Sequence, residues 1–351
     1  DGAWPLHLRS LDLSPTTAEF LEGAAHCAHM TGRHTEAMGY HASALSLDPN
    51  NPNSRMYLGM DQMLLGQWDE GITNYKARER GLIYQPSKLT RWTGKEPNVV
   101  ITAEQGGGDL IMMLRFARKL TDQGFQVAVQ CPEYIAEIVR FVDGVSKVFT
   151  SECETLADDP HWHYIPAFSL MEYFKPDEWS SDPYIHIPKG IVSMMGQFKG
   201  FNGLCWRGNP DHLNDFMRSV SYPDIRKMIG KANIYYGSLQ YNPSVDDLAK
   251  FDSAFPNIRA GASIMEQACA IANCTAVVTV DTMCSHLAGA LGVPCIQVTS
   301  VFPDWRWGIT DEKTVWYDKH RIVRQAKCGE WNDVAVKVQD ILKEIRDEQH
   351  P

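Results

Sequence analysis

The chain has 351 residues, which at roughly 150 residues per domain predicts two to three domains and excludes a small disulfide-stapled scaffold. Hydrophobic residues make up 44% and charged residues 22%, a composition typical of a globular protein rather than a disordered one. The 33 basic and 43 acidic residues give a net charge of -10, which argues against nucleic acid as a partner.

The first 90 residues contain an internal repeat. Residues 32–37 (GRHTEA) align with residues 66–71 (GQWDEG), and this spacing is the 34-residue period of tetratricopeptide repeats. The same shift aligns positions at which paired helices interlock: Ala24 with Leu58, Ala25 with Gly59, Met30 with Leu64 and His41 with Tyr75. Two such units are interpreted either as a cap on the following domain or as a groove for a partner peptide.

Beyond the repeat, strand-like and helix-like segments alternate, which predicts parallel sheets covered on both faces. In the first half we predict strands at 99–101, 125–129 and 146–149 and helices at 110–120 and 132–142. We predict an irregular stretch at residues 157–188. In the second half we predict strands at 203–206, 233–238, 258–260, 276–280 and 295–299, and helices at 264–273, 282–291 and 333–348. Ligands in such sheets bind beyond the carboxyl ends of the strands.

A glycine-rich turn, EQGGGD at 104–109, follows the first predicted strand. Its glycines allow close backbone approach, and Gln105, Gly107 and Gly108 are candidates for binding an anionic ligand. The turn matches neither the Walker nor the dinucleotide fingerprint. The competing interpretation is a tight turn in which Asp109 caps the helix.

A second candidate segment joins the strand at 276–280 to the next helix. Asp281 and Thr282 lie where the helix offers free amides and its positive dipole end, and His286 lies one turn further on. A lone histidine here is otherwise a satisfied core or surface residue.

Two further polar segments follow predicted strands. Gly208 and Asn209 lie in a loop with Arg218 downstream, and arginine suits phosphate; the alternative is a solvated surface arginine. Asp304 and Trp305 are candidates for a wall that stacks a base or sugar, with tryptophan packing in a domain seam as the alternative.

The nine cysteines form no CxxC pair, which predicts reduced, mostly buried thiols and a reducing compartment. No apolar run reaches the roughly 18 to 20 residues of a membrane span, and the first residues do not form a signal peptide, so we expect a cytoplasmic protein. We predict no metal site: the acidic pairs at 158–159 and 246–247 lack a supporting strand.

Together these segments resemble tetratricopeptide-repeat glycosyltransferases related to the lipopolysaccharide heptosyltransferase family. The resemblance rests on the repeats and on residues 91–94, 104–109, Arg115, 169–170, 206–219, 281–294 and 303–308. It implies a GT-B architecture: an all-α repeat segment (1–90), two Rossmann-like doubly wound domains (91–195 on the acceptor side, 196–332 for the nucleotide sugar) and a C-terminal helix (333–351) packing back across the halves. The chain departs from the family at Gly107, where relatives carry a larger apolar residue, and at Met283 and Cys284.

The resemblance also implies a reaction. Asp109 matches the carboxylate that acts as general base, Asp281, Thr282 and His286 match the element that holds the nucleotide sugar, and Gly208, Asn209 and Arg218 lie where phosphate ligands come from. We therefore expect a hexosyl- or heptosyltransferase-like enzyme that uses a nucleotide-diphosphate sugar, inverts the anomeric centre without metal or other cofactor, and acts on a glycan or protein acceptor. The alternatives are an inactive scaffold, a nucleotide-sugar epimerase and, disfavoured by the missing GxGxxG, a nicotinamide oxidoreductase.

Overall fold

Two parallel sheets and a set of paired helices make up the part of the chain that the computed structural model describes. The described residues are 3–14, 16–81, 89–150, 161–179, 182–211, 215–230, 235–241, 243, 256–259, 261–310 and 312–349. Cys153, Asn214 and the acidic pairs at 158–159 and 246–247 lie outside them. The contacts divide the chain into two compact units, Asp1–Ile83 with Met171–Asp177 and Val301–Asp311, and the remainder, Tyr84–Leu170, Glu178–Ser300 and Glu312–Pro351. We call them the helical unit and the α/β unit.

The helical unit consists of consecutive helices that pack in pairs. They are α1 (Ala3–Leu13), α2 (Ala18–Met30), α3 (His34–Leu47), α4 (Pro52–Leu64) and α5 (Trp68–Tyr75), followed by a 3₁₀ segment, Lys76–Gly81. Asn51 caps α4 by accepting a hydrogen bond from the Ser54 amide at 3.0 Å. A Cβ at Gly71 would meet the Gly59 carbonyl at 3.0 Å, so glycine lets α4 and α5 touch backbone to backbone.

The first sheet of the α/β unit has five strands in the order β1-β5-β2-β3-β4, all parallel. The strands are β1 (Thr90–Arg91), β2 (Asn98–Thr102), β3 (Gln126–Cys131), β4 (Val145–Thr150) and β5 (Trp162–Pro166). Helices α6 (Gly107–Met113), α7 (Phe116–Asp122) and α8 (Glu133–Val139) connect them. The centre of β2, residues 99–101, is fully buried, as a strand covered on both faces requires.

The second sheet is also parallel, in the order β10-β9-β8-β6-β7. Its strands are β6 (Asn202–Cys205), β7 (Tyr236–Ser238), β8 (Ala276–Thr279), β9 (Cys295–Thr299) and β10 (His320–Arg324). Its helices are α9 (Lys189–Val192), which precedes the sheet, α10 (Asp215–Arg218), α11 (Tyr222–Ile229), α12 (Ile264–Asn273), α13 (Met283–Ala290) and α14 (Asn332–Gln349). Through Val334 and Val338, α14 packs into the core of this sheet.

The predicted alternation is confirmed in both halves, with corrections. The helix predicted at 110–120 is two helices that meet at Leu114 and Arg115. The strand predicted at 258–260 is wrong for the described residues: Asn257 makes only an isolated bridge to Ser238. Strand β5 lies within the stretch 157–188 that was predicted to be irregular, and the edge strand β10 was not predicted either, because polar residues interrupt the apolar ones in WHYIP and HRIVR. The four-part domain division remains a prediction.

The described cysteines agree with the expectation of reduced thiols. All eight are free, and six of them are buried. No helix among the described residues is long and apolar enough to cross a bilayer.

Candidate functional site

The predicted segments of the α/β unit lie at the carboxyl ends of central strands. In the first sheet β2 lies between β5 and β3, and in the second sheet β6 lies between β8 and β7. At these positions successive connections leave in opposite directions and open a crevice, the usual ligand position in doubly wound sheets. The turn at 104–109 follows β2, the loop at 206–209 follows β6, and residues 280–286 follow β8.

Asp109 lies in the first turn of α6 and is half-buried. Its Oδ2 accepts a hydrogen bond from the Gly106 amide at 2.9 Å, so Asp109 caps the helix. The preceding Glu104 accepts a hydrogen bond from the Phe168 amide at 2.6 Å and ties the turn to the segment after β5. The capping interpretation of Asp109 is thus correct, and a catalytic role would be an addition to it.

Gly107 and Gly108 bring the start of α6 against the start of α13. A Cβ at Gly108 would lie 2.9 Å from His286 Cδ2 and 3.1 Å from Met283 Cα, and one at Gly107 would lie 2.7 Å from the Tyr134 hydroxyl. Gly108 therefore has to be glycine for the backbone of α13 to approach, whereas a Cβ at Gly107 would meet only the ends of side chains. The close approach expected of the glycines thus has a packing reason at Gly108. Gln105 is exposed beside them.

The N-terminus of α13 is not capped by its own N-cap side chain. Thr282 occupies the N-cap position, but its hydroxyl lies 3.2 Å from Thr279 Oγ1 and 3.7 Å from Cys205 Sγ instead of accepting from the helix amides. Thr282 and the neighbouring Asp281 are both half-buried. The first turn of α13 thus carries the positive end of the helix dipole without a carboxylate in that turn.

His286 is buried and hydrogen-bonded in the next turn of α13. Its side chain is 3% exposed, and Nδ1 lies 3.0 Å from the Tyr317 hydroxyl. This agrees with the satisfied core histidine that the sequence left open, while the other edge of the ring faces Gly108. His286 therefore lies at the junction of α6 and α13.

A buried polar layer supports α13 from the sheet side. Ser285 Oγ donates to Gln297 Oε1, and His320 Nε2 lies 3.2 Å from the Ser285 carbonyl and 3.1 Å from its hydroxyl. Burial lowers the pKa of His320 from 6.5 to about 3, so the ring is neutral. No local sequence pattern indicates this layer, because Ser285, Gln297 and His320 are distant in the chain.

The loop after β6 is fixed by two side chains, those of Gln240 and Ser219. Gln240 Oε1 accepts from the Arg207 amide at 3.0 Å, and Gln240 Nε2 donates to the Arg207 carbonyl at 3.0 Å. The Gly208 amide donates to Ser219 Oγ at 3.0 Å. No motif marks Gln240, since it follows a three-residue strand.

Arg218 is held by an ion pair beside Gly208. Its Nε lies 3.0 Å from Asp215 Oδ1, and Asp215 Oδ2 accepts from Ser219 at 2.8 Å. A Cβ at Gly208 would collide with the Arg218 guanidinium, so the glycine admits the arginine to the loop. The spacing DxxR at 215–218 is the sequence signal for this pair. Asn209 closes an exposed turn by accepting from the Asp211 amide at 3.1 Å.

Arg115, one of the residues on which the family resemblance rests, is buried and links two segments of the α/β unit. It is 2% exposed, donates from Nε to the Met112 carbonyl at 2.8 Å and from Nη1 to the Trp316 carbonyl, and its guanidinium lies over the Tyr317 ring. It joins the end of α6 to the segment that holds Tyr317.

The thiols of Cys205, at the end of β6, and Cys284, in α13, change each other's pKa. A hydrogen bond from Cys284 lowers the pKa of Cys205, and the same interaction together with burial raises that of Cys284. Cys205 is the acceptor of the pair.

Asp304 and Trp305 belong to the helical unit. Trp305 is 2% exposed and packs against Trp68 and Tyr75, with ring centroids 6.4 and 5.4 Å away. Asp304 accepts from the Arg306 amide at 3.0 Å and starts the 3₁₀ turn Trp305–Trp307. Trp305 therefore packs inside the helical unit, and these contacts do not form a seam between domains.

Comparison with known proteins identifies the fold. No protein-family model matches the chain, and no curated protein matches it. Among solved structures, E. coli ADP-heptose lps heptosyltransferase II is 13% identical with a TM-score of 0.53, and 72% of this chain aligns with 100% of that one. The glycosyl transferase family 9 structure from Veillonella parvula DSM 2008 is 8% identical with a TM-score of 0.52, and 72% of this chain aligns with 99% of it. The chain shares their fold.

Proposed function

We propose that the chain is a glycosyltransferase that moves a sugar from a nucleotide-diphosphate sugar to an acceptor hydroxyl. The observation that carries the proposal is the meeting of two helix N-termini from different sheets, with Gly108 against Met283 and His286 and with Asp109 in the same first turn of α6. A donor bound there would have amides and a carboxylate on opposite sides of the reacting carbon. The shared fold with the two transferase structures supports this assignment.

The donor diphosphate is proposed to bind at the start of α13. Its first-turn amides and dipole favour an anion, and Thr282 adds a hydroxyl donor. From the loop after β6, Arg218 supplies charge-assisted hydrogen bonds, while its Nε stays anchored on Asp215. The same loop contains Gly208 and Asn209. The remaining proposed contacts to the sugar and the phosphates come from four residues near the two helix starts: Gln105, Gly107, Asp281 and His286.

Asp109 is proposed as the general base. The acceptor oxygen attacks the anomeric carbon, its proton passes to the Asp109 carboxylate, and the bond from that carbon to the diphosphate oxygen breaks with its electron pair on the leaving group. One displacement inverts the anomeric configuration. The α13 amides and Arg218 stabilise the charge on the departing diphosphate, so the step as written requires no metal ion.

The proposal extends to the donor sugar, the acceptor, the helical repeats and the cellular setting. One structural neighbour is an ADP-heptose heptosyltransferase, which supports a hexosyl or heptosyl donor for this chain, with a glycan or protein as acceptor. We interpret α2 to α5 as two tetratricopeptide-like pairs available to a protein partner, with Trp305 and Asp304 packed beside them instead of stacking a base. The free cysteines support a reducing, cytoplasmic setting.

An inactive nucleotide-binding scaffold is the second candidate. It is favoured by the engagement of Asp109 in the helix cap and of His286 with Tyr317, since both side chains already have structural roles. The two candidates differ in turnover rather than in binding.

The decisive experiment is a thermal-shift series followed by a transfer assay. Nucleoside diphosphates and their sugars should raise the Tm, because a ligand that binds only the native state stabilises it, and the matching monophosphates should act more weakly. A response without turnover on any hydroxyl acceptor would select the scaffold. Conversion of the donor without an acceptor would indicate an epimerase, and no response to any nucleotide would refute the proposed site.

A further inference from the structure

Three helices of the helical unit place two imidazoles on one buried carboxylate. His29 lies near the end of α2, His34 begins α3, and Asp61 lies in α4. His29 Nδ1 is 2.8 Å from Asp61 Oδ1, and His34 Nδ1 is 2.7 Å from the same oxygen. One nitrogen from each histidine and an oxygen of Asp61 all lie within 4.8 Å of one another, the one such group among the described residues.

The carboxylate is left with an unsatisfied oxygen. Asp61 is 0% exposed, and its Oδ2 has no hydrogen-bond partner among the residues that the structure describes. Proteins normally satisfy the oxygens of a buried carboxylate by further hydrogen bonds or by metal coordination. A cation between the three side chains would neutralise Asp61 and engage Oδ2 through bidentate coordination.

The donor set indicates which cation. Two imidazole nitrogens and one carboxylate oxygen are typical ligands of zinc and of neighbouring divalent transition metals, whereas calcium and magnesium prefer oxygen alone. We propose that His29, His34 and Asp61 bind a divalent transition-metal ion of the zinc type that joins α2, α3 and α4. The site belongs to the helical unit and does not depend on the proposed transferase activity.

A metal ion can reach the three side chains and complete its coordination there. The His29 side chain is 16% exposed and that of His34 is 8%, so an ion can enter past His29, and solvent supplies the remaining coordination position. The sequence does not signal the site, because the ligands come from positions 29, 34 and 61 without a recognised metal motif, and only the packing of three helices unites them.

The test is a cobalt titration of the full chain, freed of any affinity tag and dialysed against a chelator. We expect visible d–d absorption to saturate at about one Co²⁺ per chain and to disappear on addition of Zn²⁺, and we expect Zn²⁺ to raise the Tm by on the order of 5 °C at a hundredfold excess over Kd. Asp61→Asn and His34→Gln should weaken binding by at least roughly 10- to 100-fold, a loss already typical of groups that only orient ligands.

The matched control is His41→Gln. His41 is another buried histidine of α3, stacked on Tyr57 and outside the three-ligand group, so its variant should bind cobalt like the native chain. Because Asp61→Asn can impair folding, His29→Gln is the second variant, and its partly exposed position limits the damage. Three outcomes would overturn the proposal: cobalt binding that does not saturate, equal binding by the ligand variants and the native chain, or a Tm that Zn²⁺ does not change. His29, His34 and Asp61 would then form only a hydrogen-bonded cluster.

Discussion

The helices α6 and α13 begin at corresponding positions of their sheets but satisfy their first turns differently. Each follows a central strand, β2 or β8, at its carboxyl end. In α6 the Asp109 carboxylate accepts from the Gly106 amide. In α13 the Thr282 hydroxyl turns toward Thr279 and Cys205, and no acidic residue lies in the first turn. The first helix thus presents a carboxylate at the junction, and the second presents the positive end of its dipole without a carboxylate in its first turn.

Because of this difference, the start of α13 favours an anion and the start of α6 offers a proton acceptor. An anion is favoured at α13 and repelled by the carboxylate at α6, whereas a proton is best accepted at α6. A ligand lying across the junction would therefore place its phosphate end on α13 and its acceptor end beside Asp109. Substitutions on α6 and on α13 should therefore have different effects.

The largest effect is expected at Asp109. Asp109→Asn keeps an amide oxygen that can still accept from Gly106 but cannot take a proton at neutral pH. Turnover should fall by about 10² to 10⁴-fold while nucleotide affinity is retained. Steady-state transfer rates together with calorimetric Kd values measure the two effects separately.

The control for Asp109 is Asp122→Asn in α7. Asp122 is 58% exposed and pairs with Arg118 at 2.7 Å, so its loss removes a surface carboxylate of the same half without touching the junction. Turnover should stay near the native rate. An Asp109→Asn enzyme as fast as this control would remove the base from the mechanism.

The second effect is a loss of folding stability at acid pH. It arises from His320, whose ring lies 3.2 Å from the Ser285 carbonyl in α13. The pKa of His320 is lowered from 6.5 to about 3 by burial, so the unfolded chain binds a proton below pH 6.5 that the native chain binds only near pH 3. Stability is therefore lost as the pH falls through this window, by about 2 kcal/mol at pH 5 from this group. Denaturant unfolding at pH 7 and pH 5 measures the loss.

His320→Asn should flatten that dependence without abolishing it. Burial also lowers the pKa of His41 in the helical unit, to about 4, so part of the slope remains and His41→Gln should remove that part. A native-like slope in His320→Asn would show that the ring does not carry the expected proton linkage.

The sequence was sufficient for the alternating architecture but not for the contacts between elements. The buried strands β2 and β8 contain continuous apolar runs, and turn residues follow them, so local patterns located them. Strand β10 was missed because His320 and Arg321 mask its buried neighbours. Local composition cannot show that a polar strand residue has a partner in a distant helix.

The candidate site shows the same limit. Asp109, Thr282 and His286 were located at strand ends from sequence, and the structure brings α6 and α13 together as the doubly wound pattern requires. The reason for Gly108, the role of Gln240 and the three-helix group around Asp61 were not predictable, since each depends on residues distant in the chain. Trp305 had two compatible interpretations until its neighbours were known.

The third effect is on the close approach itself. In Gly108→Ala the new methyl group would lie 2.9 Å from His286 Cδ2 and 3.1 Å from Met283 Cα, and the backbone of α13 cannot move aside as a flexible side chain would. We expect a loss of about 1–3 kcal/mol in the free energy of unfolding, together with weaker nucleotide binding.

Gly190→Ala is the matched change for Gly108. Gly190 lies in α9 of the same unit with nothing within 4 Å of its Cβ position, so alanine there should be neutral or slightly stabilising. If both variants unfold at the same denaturant concentration, the junction is looser than the structure indicates.

The smallest effect is expected at Thr282, where the α13 side of the contrast is tested alone. Thr282→Val keeps the branched shape but removes the hydroxyl, and Thr279 retains its hydrogen bond to the Val280 carbonyl at 2.9 Å. Loss of one donor to a charged phosphate should weaken nucleoside diphosphate binding by about tenfold, whereas Thr282→Ser should stay close to native affinity. Titration calorimetry with the three proteins decides the point. If Thr282→Val binds as tightly as Thr282→Ser, the diphosphate is held by the helix amides and Arg218 without this hydroxyl, which then serves only the contact with Thr279 and Cys205.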